Sequence, residues 1–153
     1  MEIKIEKTFR VDAPVEEVWA LLTDPERMVA CIPGADLDEV VDARTFRGRL
    51  GLKMGPVRAS YQGEARFEEL DAERYRMRLV GSGTGDGGAS VTMTGQLRAL
   101  DDGGTESSVV AEVNVAGRLT PMRSRLIRFV SDELFRQFVT RFQKQLEASQ
   151  REA

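Results

Sequence analysis

The 153-residue chain has no histidine and one cysteine, Cys31. A hydrolytic triad needs an imidazole or an equivalent base beside its nucleophile, and none is available. Cys31 likewise has no imidazole to hold it as a thiolate, so it reads as a small buried hydrophobe rather than a catalytic residue. Zinc, copper and non-haem iron sites draw on clusters of His and Cys, so no metal site and no cofactor is expected. One cysteine also excludes an internal disulfide and suits a reducing compartment. No apolar run approaches the length of a membrane span, and the start Met1-Glu2-Ile3-Lys4 lacks a signal-peptide core. These absences predict a soluble, cytoplasmic protein of one domain spanning 1–153.

Net charge is −3, which gives no global field for nucleic acid. The charge is unevenly placed. Residues 1–117 carry 14 Lys/Arg against 21 Asp/Glu, a balance of −7, whereas 118–144 carry seven basic residues against Asp132 and Glu133, a balance of +5. Arg118, Arg123, Arg125 and Arg128 head that basic stretch. Solvation alone explains many such clusters; the functional reading is contact with anionic lipid or an acidic partner protein.

The order of the parts is more telling. Ile3, Ile5, Phe9 and Val11 alternate with polar residues as a half-buried strand does, and Lys7 breaks the apolar face once. Pro14 with Glu16 and Glu17 suits a helix start, and Val15, Val18, Trp19 and Leu22 give a short amphipathic helix. Asp24-Pro25 repeats the signal for a second short helix ending near Ile32-Pro33-Gly34. From Asp36 to Gly117 the pattern is strand. Inward parities carry Phe46, Leu50 and Met54, then Val57, Tyr61 and Phe67, then Tyr75, Met77 and Leu79, then Val91, Met93 and Leu97, with Asp101-Asp102-Gly103-Gly104 as a hairpin signal. Thr120-Pro121 then opens one long helix, expected from 119 to 148 and roughly 45 Å long, with Leu126, Val130, Leu134, Phe138, Phe142 and Leu146 at successive i+4 steps. The predicted fold is α+β: a curved antiparallel sheet of six or seven strands around a long C-terminal helix, with two short helices after the first strand.

Three motifs need a decision. The stretch Gly81-Ser82-Gly83-Thr84-Gly85-Asp86-Gly87-Gly88 has the composition of a phosphate loop, but the residues after it alternate with period two. A phosphate loop requires a following helix N-terminus, so the stretch reads as a hairpin. The close acidic pairs, such as Glu16-Glu17 and Asp101-Asp102, read as solvated surface. Small inward residues (Gly48, Gly63, Gly95, Ala59, Ala65 and Ala111) face the long helix and either leave a cavity or bend the sheet.

The sequence resembles the family of the G subunit of carbon monoxide dehydrogenase, within the START-like (SRPBCC) superfamily. The resemblance rests on Pro14-Val15-Glu16-Glu17-Val18-Trp19, Asp24-Pro25-Glu26, Cys31-Ile32-Pro33-Gly34-Ala35, Lys53-Met54-Gly55-Pro56-Val57, Ala59-Ser60-Tyr61-Gln62-Gly63 and Val113-Asn114-Val115-Ala116-Gly117-Arg118-Leu119. It implies a helix-grip fold that binds an apolar small molecule, and an accessory role beside a molybdenum hydroxylase, recruiting it to the membrane or carrying a quinone or lipid. The chain departs from the family pattern at Thr120-Pro121-Met122. The resemblance also implies a membrane-reaching tail in some relatives; here membrane contact is expected to rest on the basic helix face or to be absent.

Phe46, Leu50, Tyr61, Phe67, Met77, Met93, Met122, Leu126, Phe129 and Val130 are expected to line the ligand site, with Tyr61 orienting the guest. No catalytic residue is expected. Two other readings share the fold: a polyketide cyclase or aromatase, recognisable by inward Arg, Tyr or carboxylate groups of shifted pKa, and a docking module whose cavity is filled by its own side chains.

Overall fold

The computed structural model describes residues 2–116 and 124–152. The elements run β1 (Glu2–Val11), α1 (Val15–Leu22), α2 (Pro25–Val29), β2 (Ala35–Val40), β3 (Thr45–Met54), β4 (Val57–Asp71), β5 (Arg76–Gly85), β6 (Gly87–Ala99), β7 (Thr105–Val115) and α3 (Ser124–Glu152). All seven strands form one antiparallel sheet in the order β1-β7-β6-β5-β4-β3-β2. Strands joined by short hairpins are neighbours, and β1 closes onto β7 with ten paired residues. The predicted helix-grip layout is the one observed, with α3 packed on the concave face.

Local chemistry sets the breaks. Pro14 caps α1 in an extended conformation, and the Asp24 side chain accepts the N–H of Glu26 at 3.1 Å ahead of Pro25. The second helix ends at Val29, earlier than its sequence suggests, because the N–H groups of Cys31 and Ile32 turn back to the carbonyls of Met28 and Val29. Gly34 follows with φ +82°, and a Cβ there would lie 2.1 Å from the Gly51 carbonyl oxygen. The Pro33-Gly34-Ala35 segment is thus fixed by a backbone approach that only glycine permits. Gly55, at φ +57°, makes the two-residue turn between β3 and β4.

Two strand expectations shift. Tyr75 is not in β5: it takes φ 53° at the end of the turn and sets its ring edge-on to Trp19 at 5.8 Å. The glycine stretch 81–88 is a paired ladder nearly to its tip, turning at Asp86 between Gly85 and Gly87. The open question about inward glycines has a mixed answer. A Cβ at Gly48 would lie 2.5 Å from the Asp36 carbonyl oxygen, and one at Gly63 2.0 Å from that of Ser82, so tight strand approach requires both glycines. At Gly95 the nearest atom is Met77 Cγ at 3.3 Å, so a side chain covers that position.

Between sheet and helix the apolar residues fall into three clusters. One joins Val11, Val18, Leu21, Cys31, Leu97, Phe142 and Leu146, tying β1 and α1 to the C-terminal half of α3. Phe142 is fully buried, with Phe9 at 6.0 Å and Phe138 at 5.6 Å between ring centroids. A second gathers Met28, Val29, Phe46, Phe67, Met77 and Leu79, with Met93 and Phe138 packed against it. The third holds Val57, Ala59, Tyr61, Val115 and Val130, with Leu126 and Leu134 on its helix side.

The helix start expected at Thr120-Pro121 lies outside the described residues; α3 extends past 148 to Glu152. Lys7, the break in the first strand, faces α3 and pairs with Asp132.

Candidate functional site

The sheet register builds the site from small residues. One inward row crosses it as Leu37, Gly48, Gly63, Gly83, Ala89 and Val115 on six successive strands. The next row carries Leu50, Tyr61, Gly85 and Gly87. Tyr61 therefore stands between a leucine and a glycine, beside a row with no side chain beyond Cβ from Gly48 to Ala89. The third cluster closes over it, with Val115 and Ala89 from the sheet and Val130, Leu126 and Leu134 from α3.

A recess of about 290 Å³, open to solvent, lies at this end of the sheet, lined by Gly83, Gly88, Ala89, Ser90 and residues 114–116. Ala89 and Val115 are shared between its wall and the Tyr61 cluster. The volume is near the lower end of the range for small-molecule sites. A second recess of about 170 Å³ lies near the other end of α3, bordered by Val11, Asp12, Gln143, Leu146 and Glu147.

Tyr61 is the chemical feature of the site. It is 8% exposed, and its hydroxyl has no hydrogen-bond partner among the described residues. A buried hydroxyl without a partner forfeits about 1–3 kcal/mol, so most native structures satisfy such groups. Burial, and secondarily the charge of Asp86, push the Tyr61 phenol up from its ordinary value. It is thus a protonated donor at neutral pH. Asp86 is held by a reciprocal pair: the Ser60 N–H donates to Asp86 Oδ2 at 2.8 Å, and the Asp86 N–H donates to the Ser60 carbonyl at 3.1 Å.

The expected lining residues do not converge on one place. Tyr61, Leu126 and Val130 are together in the third cluster. Phe46, Phe67, Met77 and Met93 belong to the second, where Phe46 and Phe67 pack ring to ring at 6.0 Å. Leu50 is half-buried beside Tyr61. Phe129 is 52% exposed and faces solvent rather than the interior. Met122, Arg118 and Arg123 lie outside the described residues. Arg125 and Arg128 are exposed on the first turns of α3, on the side of Phe129. Sequence reading missed Gly83, Ala89 and Val115 as walls; only the strand register reveals that they adjoin Tyr61.

Among the described residues no group of three His, Cys, Asp or Glu side chains is placed to hold a metal ion, and no helix is long and apolar enough to cross a membrane. Cys31 is fully buried; Gln145 Nε2 lies 3.2 Å from its Sγ and also donates to the Arg27 carbonyl at 3.0 Å. Burial pushes its thiol up to about 11, against the opposing charges of Arg141 and Arg27.

Residues 8–147 match the family model for CoxG, the G subunit of carbon monoxide dehydrogenase. The chain belongs to the CoxG family. The resemblance read from Pro33-Gly34-Ala35 and Gly55-Pro56 therefore stands, and both segments have the backbone roles described above. Similar solved structures include a conserved protein from Geobacillus kaustophilus, with TM-score 0.88 and 21% identity over 96% of this chain and 97% of that one. A START superfamily protein from Mycobacterium smegmatis has TM-score 0.66 and 15% identity over 95% and 97%. The Zhui aromatase/cyclase from a Streptomyces species has TM-score 0.65 and 15% identity over 100% and 97%. At these identities the structures show a shared START-like fold. No curated protein matches this CoxG-family chain in sequence.

Proposed function

We propose that this CoxG-family protein is a non-catalytic accessory of a molybdenum-containing carbon monoxide dehydrogenase-type enzyme, carrying an apolar small molecule, a quinone or similar lipid, between the sheet and α3. The reading is carried by the buried Tyr61 hydroxyl, which has no hydrogen-bond partner among the described residues, in an apolar cluster that shares Ala89 and Val115 with the wall of an open recess. A guest's apolar surface would supply the affinity at about 25 cal/mol per Å², and its carbonyl would accept the one hydrogen bond that Tyr61 has to give. The exposed Phe129, Arg125 and Arg128 support peripheral contact with an anionic membrane, since an apolar side chain among cations suits the interface.

The test is titration of delipidated protein with decyl-ubiquinone. Saturable one-to-one binding, weakened about fivefold in Tyr61→Phe, is expected from the loss of one hydrogen bond. Non-saturating partition, identical in the variant, would remove the carrier reading.

A cyclase reading draws on one observation, that Tyr61 is an inward tyrosine with a raised pKa. A phenol shifted upward donates but does not take up protons at neutral pH, which suits holding a carbonyl better than base chemistry. Turnover of a cyclisable polyketide mimic would favour the cyclase instead.

A further inference from the structure

At one end of the sheet β3 and β4 run past their neighbours. β2 begins at Ala35, opposite Leu50, and β5 ends at Gly85, opposite Tyr61. Among the described strands, residues 52–54 and 57–59 therefore pair only with each other, a projection of about 10 Å. The inner side of this tip, Leu52, Met54 and Val57, belongs to the third cluster with Leu126 and Val130 of α3. Gly55 and Pro56 at its end are exposed, and nothing lies within 4 Å of a Cβ built on Gly55. The outer side sets Lys53 opposite Arg58, both exposed. Like charges directly opposite each other on a sheet repel and weaken the pairing. Neither forms an ion pair among the described residues. Every other lysine and arginine of the seven strands has one, from Lys4 with Glu6 to Arg98 with Glu106.

We propose that the β3–β4 tip is a second membrane-contact site, in which Lys53 and Arg58 engage the lipid phosphates of an anionic bilayer and Gly55-Pro56 rests among the headgroups. This rests on the peripheral membrane contact read from α3 and adds a separate element to it. The sheet matches its other cations with carboxylates and leaves this opposed pair unmatched, so an anion from outside relieves a repulsion that the fold itself retains. A bilayer fits the whole surface better than an acidic protein does. The tip between the cations is uncharged and exposed. The helix that covers its inner side continues with Arg125 and Arg128, which also form no ion pair among the described residues, and with the exposed Phe129. Cations beside exposed apolar groups, on two elements joined by one cluster, are the composition of an interfacial surface. An acidic protein face would engage the cations alone.

The test is co-sedimentation of the full chain, at low salt, with phosphatidylcholine vesicles containing about 25% phosphatidylserine. One cation near such a surface is worth about fivefold in binding, so Lys53→Gln with Arg58→Gln is expected to weaken it about thirtyfold. The same double variant should melt no lower than the unaltered protein, because it removes a repulsion rather than a contact. Arg47→Gln, which takes away a cation already paired with Glu64 some 20 Å along the strand, should stay within about twofold. Unchanged vesicle binding in the folded double variant overturns the tip contact and leaves the contact on α3 intact. An equal loss in Arg47→Gln also overturns it, since net charge alone would then set the affinity. Failure of the unaltered protein to bind these vesicles overturns both contacts. Retention on immobilised polyglutamate without vesicle binding does so too, and assigns the cations to an acidic protein.

Discussion

Lys7 reaches from the inner face of β1 to Asp132 on α3, with Nζ 2.5 Å from Oδ1 and 6.0 Å from the centre of the Phe135 ring. The residue that interrupts the apolar alternation of the first strand is therefore a tether between sheet and helix. Asp132 is well exposed, so the pair gains little from Coulomb attraction. Lys7→Met is expected to change stability by less than about 1 kcal/mol in urea unfolding, with the difference shrinking in high salt. A loss of several kcal/mol would mean that the pair anchors the grip.

Gly63 and Gly88 make a matched test of the sheet's geometry. A Cβ at Gly63 would lie 2.0 Å from the Ser82 carbonyl oxygen, whereas nothing lies within 4 Å of one at Gly88. Gly63→Ala is expected to cost about 3 kcal/mol or more, because two backbones must part. Gly88→Ala should leave the melting temperature nearly unchanged. Equal costs would contradict the close approach of β4 and β5.

Cys31 predicts both a reactivity and a pH dependence. With its thiol buried and pushed up to about 11, alkylation at pH 8 should follow the rate of unfolding rather than that of a free thiol. The folded pKa lies above the unfolded one, so the associated stability is complete below the ordinary thiol value of 9.0 and is lost as pH rises toward about 11. Cys31→Ala should flatten that part of the stability–pH curve. Rapid labelling of the folded protein would contradict the burial.

Phe129 separates surface from interior. Phe129→Asp is expected to shift stability by no more than about 0.5 kcal/mol, since the side chain is half-exposed. On the proposed membrane contact, it should also reduce co-sedimentation with vesicles containing anionic lipid, as should Arg128→Glu. Unchanged co-sedimentation in both variants would remove the membrane role from this face of α3.

Much of the architecture was legible because it depends on local signals. Period-two alternation, proline at helix starts and Gly55-Pro56 each act within a few residues, and the sheet, the short helices and the helix grip follow from them. The ligand site was less legible because it depends on register. Parity alone put Phe46, Phe67, Met77 and Met93 on the same face as Tyr61, and they are on that face. Pairing across seven strands then separates them into a different cluster. Phe129 was misread as interior for a related reason: the helix stripe is wider than the face the sheet can cover, and its edge remains in solvent.

The most direct test of the account is native mass spectrometry of the protein as purified from a quinone-containing host, paired with organic extraction, for the unaltered chain and Tyr61→Phe. The account predicts a stoichiometric neutral lipid or quinone on the unaltered protein and a reduced load on the variant. A ligand-free mass for the unaltered protein, or equal loading of the two, would contradict the claim that this family member carries its cargo at Tyr61, between the sheet and α3.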